Sequence, residues 1–250
     1  MFGNYHLEPW DWTLAALAAL AVGLSKSGFA GTGLVTVLLM AEVFPAREST
    51  GLVLPMLIMA DMVAVAIYRR HADWKTILRV LPPAVVGIVL GFFLFGTIPE
   101  VLFRRVLGWM VLVLAAVQII RLWRGALFES LPHTKRFAWF MGTLTGVTTM
   151  LANAAGPVAS LYLVAQGFKK MAFVGTTAWL FCMINLIKLP FSAGLGMISA
   201  SSLKINLILA PVILLGLWIG TKLLAVVSQS VFDALVLVFA IIASLRLIFF

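Results

Sequence analysis

Lys26 stands in Ser25-Lys26-Ser27-Gly28-Phe29-Ala30-Gly31-Thr32-Gly33, in the middle of an apolar run over residues 12–44. A charge at bilayer depth costs ~2.5–3.5 kcal/mol on insertion scales, so it needs a partner or a purpose. Its neighbours fit the binding of an anion. Ser25 and Ser27 supply hydroxyl donors, and Gly28, Gly31 and Gly33 let the backbone present N–H groups where a side chain would intrude. The plainer alternative is a lysine that pairs internally or snorkels to the interface.

A second apolar run, residues 137–168, breaks at Thr148-Thr149-Met150-Leu151-Ala152-Asn153-Ala154-Ala155-Gly156-Pro157. Asn153 offers amide donors beside the Thr148 and Thr149 hydroxyls, or else only braces the turn. The second part of each run restarts near Gly33 and at Pro157, and proline favours the first helical position because its missing N–H has no intrahelical partner there. Helix N-termini carry about half a positive charge and free N–H groups. Two such ends facing each other, with Gly33 and Gly156 keeping the approach open, make an anion site at the centre of a bilayer.

The third polar insertion is Asn185-Leu186-Ile187-Lys188-Leu189-Pro190, preceded by Thr176 and Thr177. Asn185 and Lys188 are three apart and share a helix face. Lys188 lies nearer the helix end, so snorkelling competes with a ligand role. Asp61 is the only acid at depth. It either neutralises Lys26 or Lys188 or titrates, in which case it couples transport to protons.

Enzyme chemistry is poorly supported. His6, His71 and His133 lie in loops or the N-terminal tail, and no HExxH or P-loop pattern occurs. Cys182 is the single cysteine, which excludes a disulfide framework and a cysteine metal site. No catalytic residue, metal or cofactor is expected.

The elements that must position these groups are membrane helices. Of the 250 residues 63% are hydrophobic, and the mean hydropathy is +1.11, so a soluble domain would lack polar surface to show to water. Each interrupted run of roughly 32 residues would reach about 48 Å as one helix, against a hydrocarbon core of about 30 Å. Between and after them, six spanning helices are expected near 49–68, 77–98, 101–122, 173–194, 206–227 and 231–248. The net charge of +9 sits mainly in the loops, where it fixes orientation, and is no nucleic-acid signature. The expected partners are the lipid bilayer and a small anionic substrate, with no nucleic acid; a homodimer is compatible with this composition.

The halves repeat. Gly23 and Gly33 match Gly146 and Gly156 with equal spacing, and Pro82, Gly87 and Gly91 fall against Pro211, Gly216 and Gly220. This predicts two homologous units, residues 1–125 and 126–250. If each interrupted run crosses the membrane once, loop Lys and Arg divide about ten against six between the faces; if each is a hairpin returning to its own side, about eleven against five. The hairpin reading is preferred. It leaves three full spans per half, and an odd number makes an inverted repeat.

The ordered set of motifs resembles the TauE/SafE family, sulfite exporter-like anion permeases of bacteria and archaea. The resemblance rests on Gly23-Leu-Ser-Lys-Ser-Gly-Phe-Ala-Gly-Thr-Gly33, Leu54-Pro-Met-Leu-Ile-Met-Ala-Asp61 and Tyr68-Arg-Arg-His-Ala-Asp-Trp74. It continues in Ala152-Asn-Ala-Ala-Gly-Pro157, Gly175-Thr-Thr-Ala-Trp179 and Asn185-Leu-Ile-Lys-Leu-Pro-Phe191. It implies an all-α polytopic protein of the bacterial or archaeal cytoplasmic membrane that exports small sulfur oxyanions or organosulfonates. Many members carry a denser glycine run in the first interruption, where Ala30 and Thr32 interleave here. Lys26, Asn153, Asn185 and Lys188 follow the pattern of lysine-containing members, which implies a site role for them. The expectation is a secondary anion transporter with Ser25, Lys26, Ser27, Gly28, Gly31, Gly33, Asn153, Gly156, Thr176, Asn185 and Lys188 at the substrate and Asp61 as coupling candidate. The rivals are an anion channel and a non-transporting membrane assembly subunit.

Overall fold

Helix α1 (Pro9–Lys26) opens on a reciprocal cap in which the Glu8 backbone N–H donates to Asp11 Oδ2 at 2.9 Å, satisfying a donor that a helix start leaves free. The fold is that of a computed structural model, which describes residues 7–29, 31–124, 134–168, 170–226 and 229–249. After α1 the chain turns at Gly28, whose φ of 114° suits only glycine. Helix α2 (Thr32–Val43) then runs back along α1. Thr32 Oγ1 donates to Ala21 O at 3.0 Å and Thr36 Oγ1 to Ala18 O at 3.2 Å, so the two helices form an antiparallel hairpin.

Three long helices follow: α3 (Ala46–Tyr68), α4 (Trp74–Thr97) and α5 (Glu100–Trp123). A 3₁₀ turn at Arg69–His71 and an Asp73 cap on the Thr76 N–H (2.7 Å) join α3 to α4. The second hairpin is α6 (Lys135–Ala152) and α7 (Ala155–Ala165). Phe137, at the start of α6, packs against Tyr162, late in α7, with ring centroids 6.0 Å apart, so this pair also folds back. Then come α8 (Lys170–Gly194), α9 (Ala200–Val226) and α10 (Gln229–Phe249). The charged connection with Pro132 and His133 lies outside the described residues, as does His6.

Among the described residues there is no strand, and five helices are long and apolar enough to cross a membrane, namely those of α3, α4, α5, α8 and α9. The six expected spans fall on α3, α4, α5, α8, α9 and α10. Large apolar side chains face outward, and a few polar and charged ones are buried within an otherwise apolar interior. Phe93, Trp109, Leu207 and Trp218 are exposed, while Asp61, Asn185 and Lys188 are buried. Apolar surface on this scale suits lipid, not water.

The breaks are shorter than the sequence suggests. Helix α1 continues through Lys26, and α6 continues through Thr148 and Thr149 to Ala152. Asn153, at φ 53°, ends α6, and asparagine is the non-glycine residue that most readily takes this left-handed shape. Helix α7 begins at Ala155, two residues before Pro157. Pro157 still lies in the first turn, where its missing N–H costs no hydrogen bond.

Repeated glycines meet crosswise. A β-carbon on Gly23 of α1 would lie 2.2 Å from Ile213 O of α9, and one on Gly216 of α9 would lie 2.3 Å from Leu20 O of α1. In the other half, a β-carbon on Gly146 of α6 would lie 2.0 Å from Ala84 O of α4, and one on Gly87 of α4 would lie 2.1 Å from Thr143 O of α6. Each hairpin is thus pressed against the middle long helix of the opposite half. Matching long helices run antiparallel. Gly51 of α3 meets Met197 just beyond α8, and Gly175 of α8 meets Tyr68 and His71 at the far end of α3. Gly108, early in α5, meets Ser244, Leu247 and Ile248 at the end of α10.

Candidate functional site

The two hairpin turns open onto one cavity of about 50 Å³. Its polar wall comes from Ser25, Lys26, Gly28 and Gly33 of the first hairpin and from Thr149, Asn153, Ala155, Gly156 and Ser160 of the second. Helix α8 contributes Phe173, Thr177, Phe181 and Asn185, and Leu57 of α3 completes the apolar part. The first turns of α2 and α7 therefore border the same space. Both bring partial positive charge toward it, though in α2 the Thr32 and Leu34 N–H groups already donate to Phe29 O and Gly31 O at 3.1 Å. No atom lies within 4 Å of a β-carbon built on Gly33, so the approach to the α2 end is open.

Lys26 supplies the formal charge on this wall. Its Nζ lies 2.7 Å from Asp61 Oδ1, with the two side chains 8% and 0% exposed, and 5.0 Å from the Phe181 ring centroid, a distance at which the ring face attracts a cation. Asn185 Nδ2 donates to Asp61 Oδ2 at 2.7 Å. Asp61 sits behind Lys26, away from the cavity, and ties α1, α3 and α8 together. Of the two lysine partners the sequence allowed it, the ion pair is with Lys26.

Lys188 stands behind Asn153 instead of lining the cavity. It is 1% exposed, and its Nζ donates to Thr149 O at 3.0 Å, to Thr149 Oγ1 at 3.3 Å and to Asn153 Oδ1. An ammonium has three donors, and these three acceptors sit at the C-terminal end of α6, where a cation is favoured. Asn153 Nδ2 in turn donates to Thr50 O at 2.8 Å. The second turn is thus held by the Thr50 carbonyl of α3 and the Lys188 side chain of α8, and snorkelling, the alternative for Lys188, does not occur.

The structure therefore brings Ser25, Lys26, Gly28, Gly33, Asn153, Gly156 and Asn185 to one cavity. Ser27, Gly31, Thr176 and Lys188 lie off its wall. The Ser27 hydroxyl donates to Leu24 O at 2.8 Å and packs against Gly220, where a β-carbon would come within 1.9 Å of Ser27 Oγ. Gly31 caps the start of α2. Thr176 Oγ1 accepts the Asp73 N–H at 2.9 Å and so fastens α8 to the start of α4.

Three polar groups on the wall were not among the expected substrate residues. Thr177, not Thr176, faces the space. The signal was present, because counting back from Asn185 by fours gives Phe181, Thr177 and Phe173, one face of α8. Thr149 lines the cavity from within α6. Ser160 lies one turn beyond Pro157, is 1% exposed, and its hydroxyl has no hydrogen-bond partner. Buried hydroxyls are nearly always satisfied, so this one is a donor free for whatever enters. Among the described residues no cluster of His, Cys, Asp or Glu could hold a metal ion.

The arrangement is suited to a small anion: one ammonium, two helix N-termini, amides and hydroxyls converge on a space with aromatic walls. A family model described as sulfite exporter TauE/SafE matches residues 15–247. No curated protein and no solved structure matches the chain.

Proposed function

The chain belongs to the TauE/SafE family of sulfite exporters, a transporter family, and on that premise we propose that it is a secondary transporter of small sulfur-containing anions. It exports sulfite or an organosulfonate across the cytoplasmic membrane of a bacterial or archaeal cell. The observation that carries this reading is the convergence of Lys26 with the N-termini of α2 and α7 on one cavity. Lys26 holds the anion's charge, and the Ser160 hydroxyl with the side-chain amides of Asn153 and Asn185 orients it, while the Ser25 and Thr177 hydroxyls, which donate to Val22 O at 2.7 Å and Phe173 O at 2.9 Å, only line the space. Lys188 acts at one remove by fixing Asn153.

Alternating access follows from an inverted repeat, which the antiparallel pairing of α3 with α8 and of α5 with α10 supports. The crosswise glycine contacts favour α1, α2 and α9 as one moving body and α6, α7 and α4 as the other. The richer basic face, with Arg69, Arg70, Lys75 and Arg79, is the cytoplasmic one by the positive-inside rule.

The test is sulfite flux in proteoliposomes made from the purified chain, with sulfoacetate and sulfate as competitors. Saturable, competed flux is expected. Flux that never saturates would replace the transporter by a channel, and no flux of any of these anions from folded protein would reject the reading. Ser160→Ala refines it. Removing an unpartnered buried hydroxyl should leave the thermal midpoint unchanged or slightly raised. The same change should weaken sulfite affinity about three- to tenfold, since a typical hydrogen bond contributes about 0.5–1.5 kcal/mol net. Unchanged affinity would remove Ser160 from the site.

A further inference from the structure

Lys26 is asked to serve two anions. It lines the cavity, yet its Nζ is already 2.7 Å from Asp61 Oδ1. The other acceptor atom, Asp61 Oδ2, holds Asn185 at 2.7 Å, and the carboxylate is 0% exposed. The second buried lysine offers no relief, because its donors are spent on Thr149 and Asn153. An anion that reaches Lys26 while Asp61 stays ionised puts two negative charges on one ammonium away from water.

We propose that the proton is a second transported ion, that the Asp61 carboxylate is its site, and that it moves together with the anion by freeing Lys26. This rests on the anion-transport reading of the same cavity. A proton taken up at Asp61 Oδ1 makes a neutral acid, which keeps its other oxygen on Asn185. Lys26 remains an ammonium and turns its charge to the incoming anion. The empty site holds Lys26 plus and Asp61 minus. The site loaded with a proton and a singly charged anion holds Lys26 plus, the anion minus and a neutral Asp61. Both states have the same net charge, so neither carries an unpaired ion through the low-dielectric interior. Anion and proton bind cooperatively, and by linkage each raises the affinity of the other by the same factor.

The groups that face Asp61 are consistent with this exchange. Lys26 comes from α1, and Asn185, Lys188 and Cys182 come from α8. Among the described residues, the charges that bear on it are those of Lys26 and Lys188. A sodium ion is a poorer occupant. Both carboxylate oxygens are engaged by nitrogen donors, and a hard cation needs several oxygens around it.

Two measurements test the proposal. Calorimetric titration of the wild-type chain with sulfite in buffers of differing ionisation heat counts protons. In mildly acidic buffer, where free sulfite is already hydrogensulfite, one proton should be taken up for each anion bound. In proteoliposomes, wild-type net sulfite flux should bring one proton with each anion and not respond to an imposed membrane voltage, whereas any net flux remaining in Asp61→Asn should move one proton fewer, and one negative charge, per anion. Proton uptake of zero in the wild type, or identical proton-to-anion ratios in wild type and Asp61→Asn, would overturn the proposal and leave anion transport standing. Because the calorimetric measurement needs no substitution, a variant that fails to fold does not protect the idea. No binding and no flux of sulfite by the wild type would overturn the transport reading, and this inference with it.

Discussion

Lys26→Ala is expected to abolish saturable sulfite flux in proteoliposomes and to weaken sulfite binding by about ten- to a hundredfold, the effect of losing one charged hydrogen bond of about 1.5–3 kcal/mol. The single variant will also be less stable. It leaves Asp61, 0% exposed, without its counter-ion, and breaking a buried pair by removing one partner costs about 3–5 kcal/mol. Lost flux alone would therefore confuse a dead site with a damaged fold. The companion variant is Lys26→Met with Asp61→Asn. It removes both charges, keeps an acceptor for the Asn185 amide and fills the lysine's volume with an apolar chain, a class of exchange that is often neutral or stabilising. A thermal midpoint near the wild-type value with no flux would place the anion's charge partner at Lys26. Full transport by the folded double variant would show that the pair is only an internal brace, and the anion site would have to be sought elsewhere.

The span helices were legible because apolar length is a strong signal, and α3, α4, α5 and α8 start and stop within a few residues of their expected ends. The fold-back of the two hairpins was much harder to read. Loop charges favoured it by only one, whereas the deciding facts are contacts such as Thr36 Oγ1 to Ala18 O, which join residues on opposite arms. The candidate cavity was legible where a polar residue interrupts an apolar run, hence Lys26, Asn153 and Asn185 on its wall. It was less so where rotation about a helix axis decides. Thr176 and Thr177 are neighbours in sequence, but one bonds the Asp73 N–H and the other meets the cavity. Lys188 shows a different limit. Its place near a helix end suggested an exposed head group, but its acceptors lie 35 and 39 residues away, where no local pattern could announce them. Ser27 failed as a cavity residue for the same reason, since Gly220 of α9 is what it touches.

Gly23→Ala and Gly146→Ala are expected to prevent accumulation of folded protein, while Gly33→Ala is expected to leave it unaffected. All three replace glycine in or beside a helix, where alanine by itself is favoured by up to about 1 kcal/mol, so local propensity predicts mild stabilisation throughout. Packing reverses the sign at two of them. The new methyl would come within 2.2 Å of Ile213 O at Gly23 and within 2.0 Å of Ala84 O at Gly146. Both obstacles are backbone atoms of the opposing helix, which cannot step aside as a side-chain tip can, so the cost should exceed the ~1–3 kcal/mol of ordinary overpacking. At Gly33 no atom lies within 4 Å, and the methyl projects toward the cavity. Size-exclusion profiles and thermal midpoints of the three variants in detergent are the measurement. A Gly146→Ala protein as stable as the wild type would mean that α4 and α6 are not in backbone contact. A large loss for Gly146→Ala with none for Gly23→Ala would break the equivalence of the two halves. Loss at both, with Gly33→Ala intact, is what two hairpins gripped by opposite halves require. A motion that pulled the sequence halves apart would have to undo both grips, so the proposed alternating access requires α1 to move with α9 and α6 with α4.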